Sequence, residues 1–261
     1  MSGDWALVTG ASGGLGEALA RQLARRGMKV VMTARSLDRL AAVAASIEAE
    51  SGVETRTYAL DLSRPGAADA LDRWLSENGV EPEVLVNNAG KGLHGAFVEQ
   101  DLDHLRAMIQ LDVVVLTELT HLHARRMAAR GRGRILLVGS MAAFQPVPLL
   151  SAYAAAKAYV LAFGEALHVE LAPAVTITVL SPGLMATGFN EASGYTTPAS
   201  LKRMEMLPAD VARIGLDALF AGKSGVIAGR LNKLMALASR VLPRHFSARS
   251  QFDMTQRQAA P

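Results

Sequence analysis

The 261-residue sequence predicts an α/β protein with a doubly wound, mostly parallel sheet of seven strands and helices on both faces. Short apolar runs alternate along the chain with segments that have the spacing of amphipathic helices. A glycine-rich turn follows the first of those runs, and short polar motifs follow most of the others. Turns of this kind meet at the carboxyl edge of a parallel sheet, so we expect one ligand site there.

Composition narrows the class of protein. Apolar residues make up 50% of the chain and charged residues 20%, which is typical of a folded protein, and we expect one domain over residues 1–261. The net charge of +3 comes from basic residues spread along the chain, which does not favour nucleic-acid binding. Cysteine is absent, and His121 and His123 point to different sides of a helix, so we expect no disulfide and no metal site.

Hydropathy and the N-terminal residues indicate where in the cell the protein is expected to be. The chain enters its first apolar run almost directly, without the charged and apolar regions of a signal peptide. It also lacks a run of ~18 apolar residues that could span a bilayer. We therefore expect a cytoplasmic protein without membrane association.

The first predicted strand covers residues 5–8, the glycine-rich turn residues 9–16, and the next helix residues 17–26. Glycine lets the backbone come close to a ligand, and the N–H groups of a helix N-terminus attract phosphate. The glycine spacing differs from the general G-x-G-x-x-G pattern, so the turn is either a phosphate cradle or a plain turn. The candidate phosphate-binding residues are Gly10, Ser12, Gly13, Gly14, Leu15 and Gly16.

The second predicted strand, residues 29–34, ends in a basic residue. Arg35 stands near the position where an acidic side chain would bind the ribose of NAD, and a guanidinium there suits the 2′-phosphate of NADP(H). The alternative for Arg35 is a solvated surface arginine. Ser36 is the predicted N-cap of a helix over residues 37–50, which makes Asp38 a first-turn residue rather than a ribose ligand.

The third predicted strand, residues 55–60, leads to Asp61 and Leu62. The acidic side chain could face an adenine ring, or it could cap the helix predicted over residues 68–77. Both interpretations stay open from the sequence.

The fourth predicted strand, residues 83–86, runs into Asn-Asn-Ala-Gly at residues 87–90. Such a motif can bring the chain close to a cofactor, although an ordinary Asx-turn has the same composition. Residues 102–130 then show helical spacing that is long for one helix, and we expect one long helix with a short one before it.

The fifth predicted strand, residues 134–139, places the Ser140 hydroxyl at its end, before a loop broken by prolines. The helix after that loop, residues 152–171, carries Tyr153 and Lys157 four residues apart, on one face. An ammonium beside a phenol lowers the pKa of the phenol from about 10, which suits proton exchange near neutral pH. The alternative is a surface Tyr and Lys on an ordinary helix.

The last part of the chain adds a sixth strand at 175–180, a helix at 209–221 and a seventh strand at 225–228. Residues 184–207 have no clean period, and we interpret them as a mobile substrate lid. Residues 230–261 form an amphipathic segment.

The apolar stripe of that C-terminal segment lies beside Arg230, Lys233 and Arg240, as it would in a helix that lies on a membrane surface. Packing against the core or another subunit is the alternative, and the preferred one. The stripe consists of Leu231, Leu234, Met235, Ala238, Val241 and Leu242.

Across these motifs the chain resembles the short-chain dehydrogenase/reductase family over essentially its whole length. The matching motifs are Thr9-Gly10-x-x-x-Gly14-x-Gly16, Asn87-Asn88-Ala89-Gly90, Ser140, Tyr153-x-x-x-Lys157 and Pro182-Gly183-x-x-x-Thr187. The resemblance implies a Rossmann-type fold and reversible hydride transfer between NADP(H) and a carbonyl, which is a ketone, an aldehyde or a 3-oxoacyl group.

The resemblance also assigns roles to residues. Tyr153 would be the general acid/base, and Ser140 would orient the carbonyl oxygen. Lys157 would bind the nicotinamide ribose and lower the pKa of Tyr153, and Thr187 would hold the carboxamide. The remaining expected cofactor contacts are Asp61, Leu62, Asn88, Ala89, Gly90, Pro182 and Gly183.

The expected substrate is a hydrophobic ketone or acyl chain, because the lid and residues 144–150 are largely apolar. Ser140, Phe144 and Phe189 are the candidate substrate contacts. We also expect a homodimer or homotetramer.

One position departs from the family pattern. Family members usually carry an asparagine in the long fourth helix that holds a relay water, whereas the aligned residue is Asp112. A carboxylate has no N–H donor and adds charge near Lys157. If the relay uses only the backbone carbonyl, it survives, and the carboxylate would then turn toward solvent or a neighbouring donor. If the relay needs the side chain, activity is low or its pH profile shifts.

Two other classes of protein compete with this interpretation. The first is a catalytically weak member that binds NADP(H) as a regulator or scaffold, which Asp112 allows but the intact Ser140, Tyr153 and Lys157 do not favour. The second is the surface-bound protein suggested by the C-terminal stripe.

Overall fold

The computed structural model describes residues 3–195, 197 and 202–259, and their central feature is one sheet of seven parallel strands in the order β3-β2-β1-β4-β5-β6-β7. Every neighbouring pair in the sheet is parallel, as the alternation of strands and helices predicted. The strands β1 to β7 are Trp5–Thr9, Lys29–Ala34, Thr55–Ala59, Pro82–Asn87, Arg134–Val138, Thr176–Ser181 and Gly225–Ile227.

Ten α-helices accompany the strands in the described part of the chain. Helices α1 to α10 are Gly14–Arg25, Leu37–Ser51, Ala67–Glu77, Leu102–Ile109, Leu116–Ala129, Ser151–Glu170, Phe189–Ala192, Pro208–Phe220, Arg230–Val241 and Arg244–Ala259. Short 3₁₀ turns lie at Phe97–Glu99, Met141–Phe144 and Lys202–Met204. The predicted N-cap of α2 is confirmed, since the Ser36 hydroxyl accepts a hydrogen bond from the Arg39 N–H.

The central strands of the sheet are buried on both faces, which is consistent with their mostly apolar sequences. One face packs against α1 and α8, where Leu19, Leu23 and Leu216 are completely buried. The other packs against α3, α5 and α6, through residues such as Leu71 and Leu119. Burial on both faces holds the strand ends rigidly, so the loops at the carboxyl edge have a fixed base.

The strand order reverses direction between β1 and β4, because successive crossovers run outward from β1 on one side and from β4 on the other. A crevice opens at such a switch point, beyond the carboxyl ends of the strands. The glycine-rich turn after β1 and the Asn-Asn-Ala-Gly motif after β4 face each other across it.

Residues 102–129 are helical, as predicted, but part of this helical stretch is not an α-helix. Helices α4 and α5 are joined without a break by a π-helical segment, Gln110–Val115, which contains Asp112. Propensity does not distinguish a π-bulge from an α-helix, and π-bulges occur frequently at functional sites.

One prediction about the C-terminal half needs correction, and the structure adds detail to another. The interpretation that the stripe on α9 packs into the core is wrong, because all six of its apolar residues are exposed. The predicted lid contains α7 and a 3₁₀ turn, and its two ends pair through a bridge between Met185 and Met206. Residues 196 and 198–201 of the lid, and residues 260–261 of the C-terminal segment, lie outside the described residues.

No helix within the described ranges is both long enough and apolar enough to cross a membrane.

A buried histidine outside the crevice makes stability sensitive to acid. His123 on α5 is 2% exposed, and its Nε2 has no hydrogen-bond partner among the described residues. Burial lowers the pKa of His123 from 6.5 to about 4. The unfolded chain therefore binds a proton between pH 6.5 and 4 that the folded chain excludes.

We expect this histidine to cost up to about 3 kcal/mol of folding free energy as the pH falls from 6.5 toward 4. Chemical denaturation of His123→Leu across that range should show a shallower loss of stability than the natural protein. His121→Leu is the matched control, because His121 lies exposed on the same helix. Identical pH slopes for His123→Leu and the natural protein would contradict the assignment.

Candidate active site

A cavity of about 760 Å³ lies in the crevice at the carboxyl edge of the sheet. It collects most of the site residues that the sequence suggested, although they come from six different segments. Those that line it are Gly10, Ser12, Gly13, Gly14, Leu15, Gly16, Asn88, Ala89, Gly90, Ser140, Tyr153, Lys157, Pro182, Gly183, Thr187 and Phe189.

The glycine-rich turn brings backbone N–H groups to the cavity wall. Gly10 has a φ of +67°, which side-chain-bearing residues rarely adopt, and a Cβ at Gly16 would lie 2.2 Å from the Gly10 carbonyl oxygen. The N-cap of α1, Gly13, supplies no side-chain cap. The first-turn N–H groups and the positive end of the helix dipole are therefore available to an anion.

The Asn-Asn-Ala-Gly motif forms direct hydrogen bonds with this turn. The Asn88 amide donates to the Thr9 carbonyl oxygen at 2.9 Å, and the Thr9 hydroxyl accepts from the N–H groups of Asn88 and Ala89, both at 3.0 Å. Asn87 instead turns into the core, where it donates to the Thr120 hydroxyl. The motif thus joins β1 to β4 across the switch point and keeps the crevice at a fixed width.

Ser140 stands at the end of β5, where hydrogen bonds to the strand and loop of β6 hold the backbone. The N–H groups of Gly139 and Met141 donate to Leu180 and Pro182 carbonyls at 2.8 and 2.9 Å. The Ser140 oxygen accepts from the Ala142 N–H at 3.1 Å, which leaves its own proton to donate into the cavity.

Helix α6 carries Tyr153 and Lys157 on the face that lines the cavity, so the alternative of a surface pair is wrong. Tyr153 is 9% exposed and Lys157 4%. The Lys157 ammonium lies 5.6 Å from the centre of the Tyr153 ring and donates to the Val138 carbonyl at 3.2 Å. The Phe189 ring covers the phenol from the lid side, with ring centres 5.8 Å apart.

Asp112 lies beneath the cavity wall, at the π-helical segment, and is completely buried. Its Oδ1 accepts from the Lys91 N–H at 2.9 Å, and its Oδ2 lies 3.5 Å from the Lys157 ammonium. Oδ2 makes no hydrogen bond within the described residues, so its contact with Lys157 is a long ion pair. Of the two predicted orientations, the one toward a neighbouring donor is observed and the one toward solvent is not.

Burial and neighbouring charges act in opposite directions at Asp112 and at Lys157. Burial raises the pKa of Asp112, despite the Lys157 charge and the Lys91 N–H. Burial also acts against the Lys157 ammonium, but the charges of Asp112 and Tyr153 outweigh it and raise the Lys157 pKa.

The phenol departs from the sequence-based expectation. Burial raises the pKa of Tyr153 above its ordinary value, and Asp112 adds to this rise, while Lys157 and a hydrogen bond with Ser140 oppose it. The expected lowering toward neutral pH is therefore wrong for this arrangement. Tyr153 is a protonated phenol at pH 7, ready to donate rather than to accept a proton.

Five expected site residues do not line the cavity. One is Asp112 beneath its wall, and three of the other four follow β2 and β3. Arg35 is exposed, and Leu62 is buried at 4% exposure. The Asp61 carboxylate accepts from the N–H and hydroxyl of Ser63 at 3.0 and 2.7 Å, within its own turn. Helix α3 begins after Gly66 without a side-chain cap, so the interpretation that Asp61 caps this helix is wrong. Phe144 ends the 3₁₀ turn after Ser140 and also stays outside the cavity wall.

Sequence reasoning missed several residues that do line the cavity. Arg39 reaches it from the first turn of α2, and its position one helical turn after Arg35 was the available signal. His94 and Tyr195 form an edge-to-face pair with ring centres 5.4 Å apart. Met235 and Gln251 come from α9 and α10, and no local pattern placed those helices over the cavity.

The residues present fit a nicotinamide dinucleotide phosphate. The uncapped N-terminus of α1 suits a pyrophosphate. Arg35 and Arg39 make no side-chain hydrogen bond with any described residue, so both guanidiniums are available to a 2′-phosphate. No cluster of three or more metal-ligating side chains occurs in the portion that the structure describes, so the cavity offers no built metal site.

Comparison with known proteins identifies the family to which the chain is similar. Residues 4–197 match the family profile described as short chain dehydrogenase. The very-long-chain 3-oxoacyl-CoA reductase of Mus musculus is 40% identical over 190 residues, which cover 71% of this chain and 60% of that enzyme. The chain thus spans less than two thirds of the length of that relative.

Solved structures agree over nearly the whole chain. A short-chain dehydrogenase from Sphingobium yanoikuyae, solved in complex with NADPH, is 31% identical with a TM-score of 0.81 and covers 91% of this chain and 93% of its own. The bulky-bulky ketone specific alcohol dehydrogenase from Comamonas testosteroni is 28% identical with a TM-score of 0.77, covering 92% and 94%.

We expect Arg35→Ala and Arg39→Ala each to weaken NADPH binding about tenfold or more, because a charge-assisted hydrogen bond is worth about 1.5–3 kcal/mol. NADH, which lacks the 2′-phosphate, should bind the variants and the natural protein alike. Titration calorimetry with both nucleotides measures this difference. Arg106→Ala, on the surface of α4, is the control, and equal losses for NADH and NADPH would contradict the phosphate assignment.

Proposed function

The chain belongs to the short-chain dehydrogenase family, and from that premise we propose that it is an NADPH-dependent reductase of hydrophobic carbonyl compounds. One observation carries the proposal: Ser140, Tyr153 and Lys157 meet the glycine-rich turn in a single cavity. A phosphate cradle, a proton donor and a hydroxyl donor within one cavity are the parts that this reaction needs.

The proposed chemistry assigns one task to each side chain. The hydride for the carbonyl carbon comes from the reduced nucleotide when it is bound. Ser140 donates a hydrogen bond to the carbonyl oxygen, and Tyr153 transfers its proton to that oxygen as the C–O bond becomes an alcohol. Lys157 supplies a positive charge beside the phenol, which stabilises the phenolate left after the transfer.

Reduction is the direction that the electrostatics favour at neutral pH. The raised pKa of Tyr153 keeps the phenol protonated, and a protonated group is what a carbonyl oxygen requires. Oxidation of an alcohol would need the phenolate, which burial disfavours, so it should require higher pH.

The walls of the cavity support a hydrophobic substrate. Polar side chains such as His94, Gln145 and Asn190 also line it, but a large part of the wall is apolar. A long 3-oxoacyl thioester and a bulky ketone are the two substrate classes that the relatives suggest. The apolar lining residues include Met141, Val147, Pro148, Leu150, Leu184, Met185, Met204 and Met235.

Assembly as a homodimer or homotetramer in the cytoplasm is part of the same proposal. Large apolar side chains are exposed on α4 and α6, including Leu102, Ile109 and Val169. Such positions are typical of contacts between subunits.

NADPH oxidation with a panel of 3-oxoacyl thioesters of increasing chain length and of bulky ketones tests the proposal. We expect turnover that improves with apolar length in one of the two series. NADPH binding without turnover of any carbonyl would instead favour the regulator or scaffold alternative.

We expect Tyr153→Phe to abolish turnover and to leave NADPH affinity nearly unchanged, because the substitution removes the proton donor without altering the phosphate cradle. Steady-state kinetics and calorimetry report the two properties separately. Tyr159→Phe is the matched control, since the Tyr159 hydroxyl contacts Thr117 rather than the cavity. A near-natural rate for Tyr153→Phe would show that Tyr153 is not the proton donor.

We expect Asp112→Asn to change the rate at pH 7 by less than about tenfold, or ~1.4 kcal/mol in barrier. An amide oxygen can still accept from the Lys91 N–H. The variant loses the long ion pair with Lys157, but the ammonium keeps its hydrogen bond to the Val138 carbonyl and so its position. The alkaline limb of reduction should move to lower pH, because the Asp112 charge helps to raise the pKa of Tyr153.

A pH–rate profile of the natural enzyme, Asp112→Asn and the exposed control Asp103→Asn measures this limb. An unmoved limb in Asp112→Asn would show that the two groups are not coupled. A rate gain of several orders of magnitude would show that the natural site is impaired.

A further inference from the structure

Helix α9 carries its apolar stripe on the side that faces away from the protein. Asn232 and Ala236 are its buried residues, at 7% and 3% exposure, whereas Leu234, Leu237 and Val241 are 62%, 60% and 81% exposed. At 100° per residue these three leucine and valine side chains lie opposite the buried pair. The surface made by these three residues with Leu231 is called the α9 face below.

Further exposed apolar side chains follow the α9 face along the chain. Leu242 follows α9, and Phe246 and Phe252 lie on α10; their exposed fractions are 46%, 62% and 39%. Several large apolar side chains exposed within one short segment are typical of an interaction surface.

The stretch of sequence that carries the α9 face has charged residues of a single sign. The sequence contains no Asp or Glu between Asp217 and Asp253, but six Lys and Arg residues. Lys233 and Arg240 flank the stripe and make no ion pair with any described residue. The six basic residues are Lys223, Arg230, Lys233, Arg240, Arg244 and Arg249.

We propose that the α9 face docks on the surface of an anionic lipid bilayer, with Leu231, Leu234, Leu237 and Val241 in the acyl boundary and Lys233 and Arg240 against lipid headgroups. Apolar residues on one face and unpaired cations beside them are what a helix needs to lie in a membrane interface. Docking of this kind requires no helix that crosses the bilayer.

A second copy of the chain fits the same face less well. A symmetric dimer through α9 would bring each cation close to cations of the other copy, and no acidic side chain of α9 could neutralise them. An anionic lipid surface supplies the missing negative charge.

The position of α9 relates docking to the cavity. Asn232 packs so closely on the loop after β6 that a Cβ at Gly183 would lie 2.3 Å from its amide nitrogen. Met235 on α9 and Gln251 on α10 line the cavity, and Ser247 on α10 donates to Gln145 at 2.8 Å. A docked protein would therefore hold the cavity mouth next to the lipid, where an apolar substrate is concentrated.

Vesicle co-sedimentation with the purified full chain tests the proposal. We expect binding to phosphatidylcholine vesicles that contain about a third phosphatidylserine, little binding to phosphatidylcholine alone, and release as salt screens the charges. The double variants Leu234→Gln/Leu237→Gln and Lys233→Gln/Arg240→Gln should each lose tenfold or more in vesicle affinity. Phe97→Gln/Val98→Gln, which alters exposed apolar residues elsewhere, is the matched control and should bind normally.

Failure of the natural protein to sediment with anionic vesicles would overturn the proposal, as would equal binding by all variants. Size-exclusion chromatography with light scattering tests whether a second copy of the chain covers the α9 face instead. If it does, the Leu234→Gln/Leu237→Gln variant should form a smaller oligomer than the natural protein, and the lipid assignment would be wrong. Loss of that variant's affinity for an acidic soluble protein, without loss of vesicle binding, would instead assign the face to a protein partner. The vesicle measurement needs no turnover, so its outcome is independent of the proposed reductase activity.

Discussion

The buried ammonium of Lys157 is the constraint on which the candidate site depends. A charge with 4% exposure is stable only if the surrounding groups compensate for lost hydration. Three segments do so: the π-helical segment supplies the Asp112 carboxylate, β5 supplies the Val138 carbonyl, and α6 supplies the Tyr153 ring. The same contacts that stabilise the charge also fix its position beside the phenol. The interactions that stabilise this part of the fold are therefore the ones that the proposed chemistry requires.

The topology of the sheet explains why residues so far apart in the chain meet. Every strand is parallel, so every loop that follows a strand lies on the same edge, and the reversal of strand order between β1 and β4 opens a crevice there. The Asn88 and Thr9 hydrogen bonds then set the width of that crevice. The C-terminal helices cover its outer side while their apolar residues remain exposed, which joins the cavity to the proposed lipid-facing surface.

The sequence predicted the sheet, the order of its helices and most of the cavity wall, because periodicity, glycine turns and the spacing of Tyr153 and Lys157 are local signals. It did not predict the π-helical segment, because the change from i→i+4 to i→i+5 hydrogen bonds does not alter the pattern of apolar residues enough to be recognised. It also gave the wrong direction for the Tyr153 pKa, because burial is a property of the whole fold. Met235 and Gln251 were missed for the same reason: tertiary packing brings α9 and α10 over the cavity.

The most direct test of the central claim is a titration of the Lys157 ammonium itself. The chain has six lysines, so ¹⁵N-lysine NMR resolves few signals, and a Lys157→Arg variant assigns the one of interest. Because the Asp112 and Tyr153 charges outweigh burial and raise the Lys157 pKa, its signal should stay in the protonated form to higher pH than those of the exposed lysines. A Lys157 signal that becomes neutral below the ordinary lysine range would contradict this account, since burial would then have overcome the ion pair.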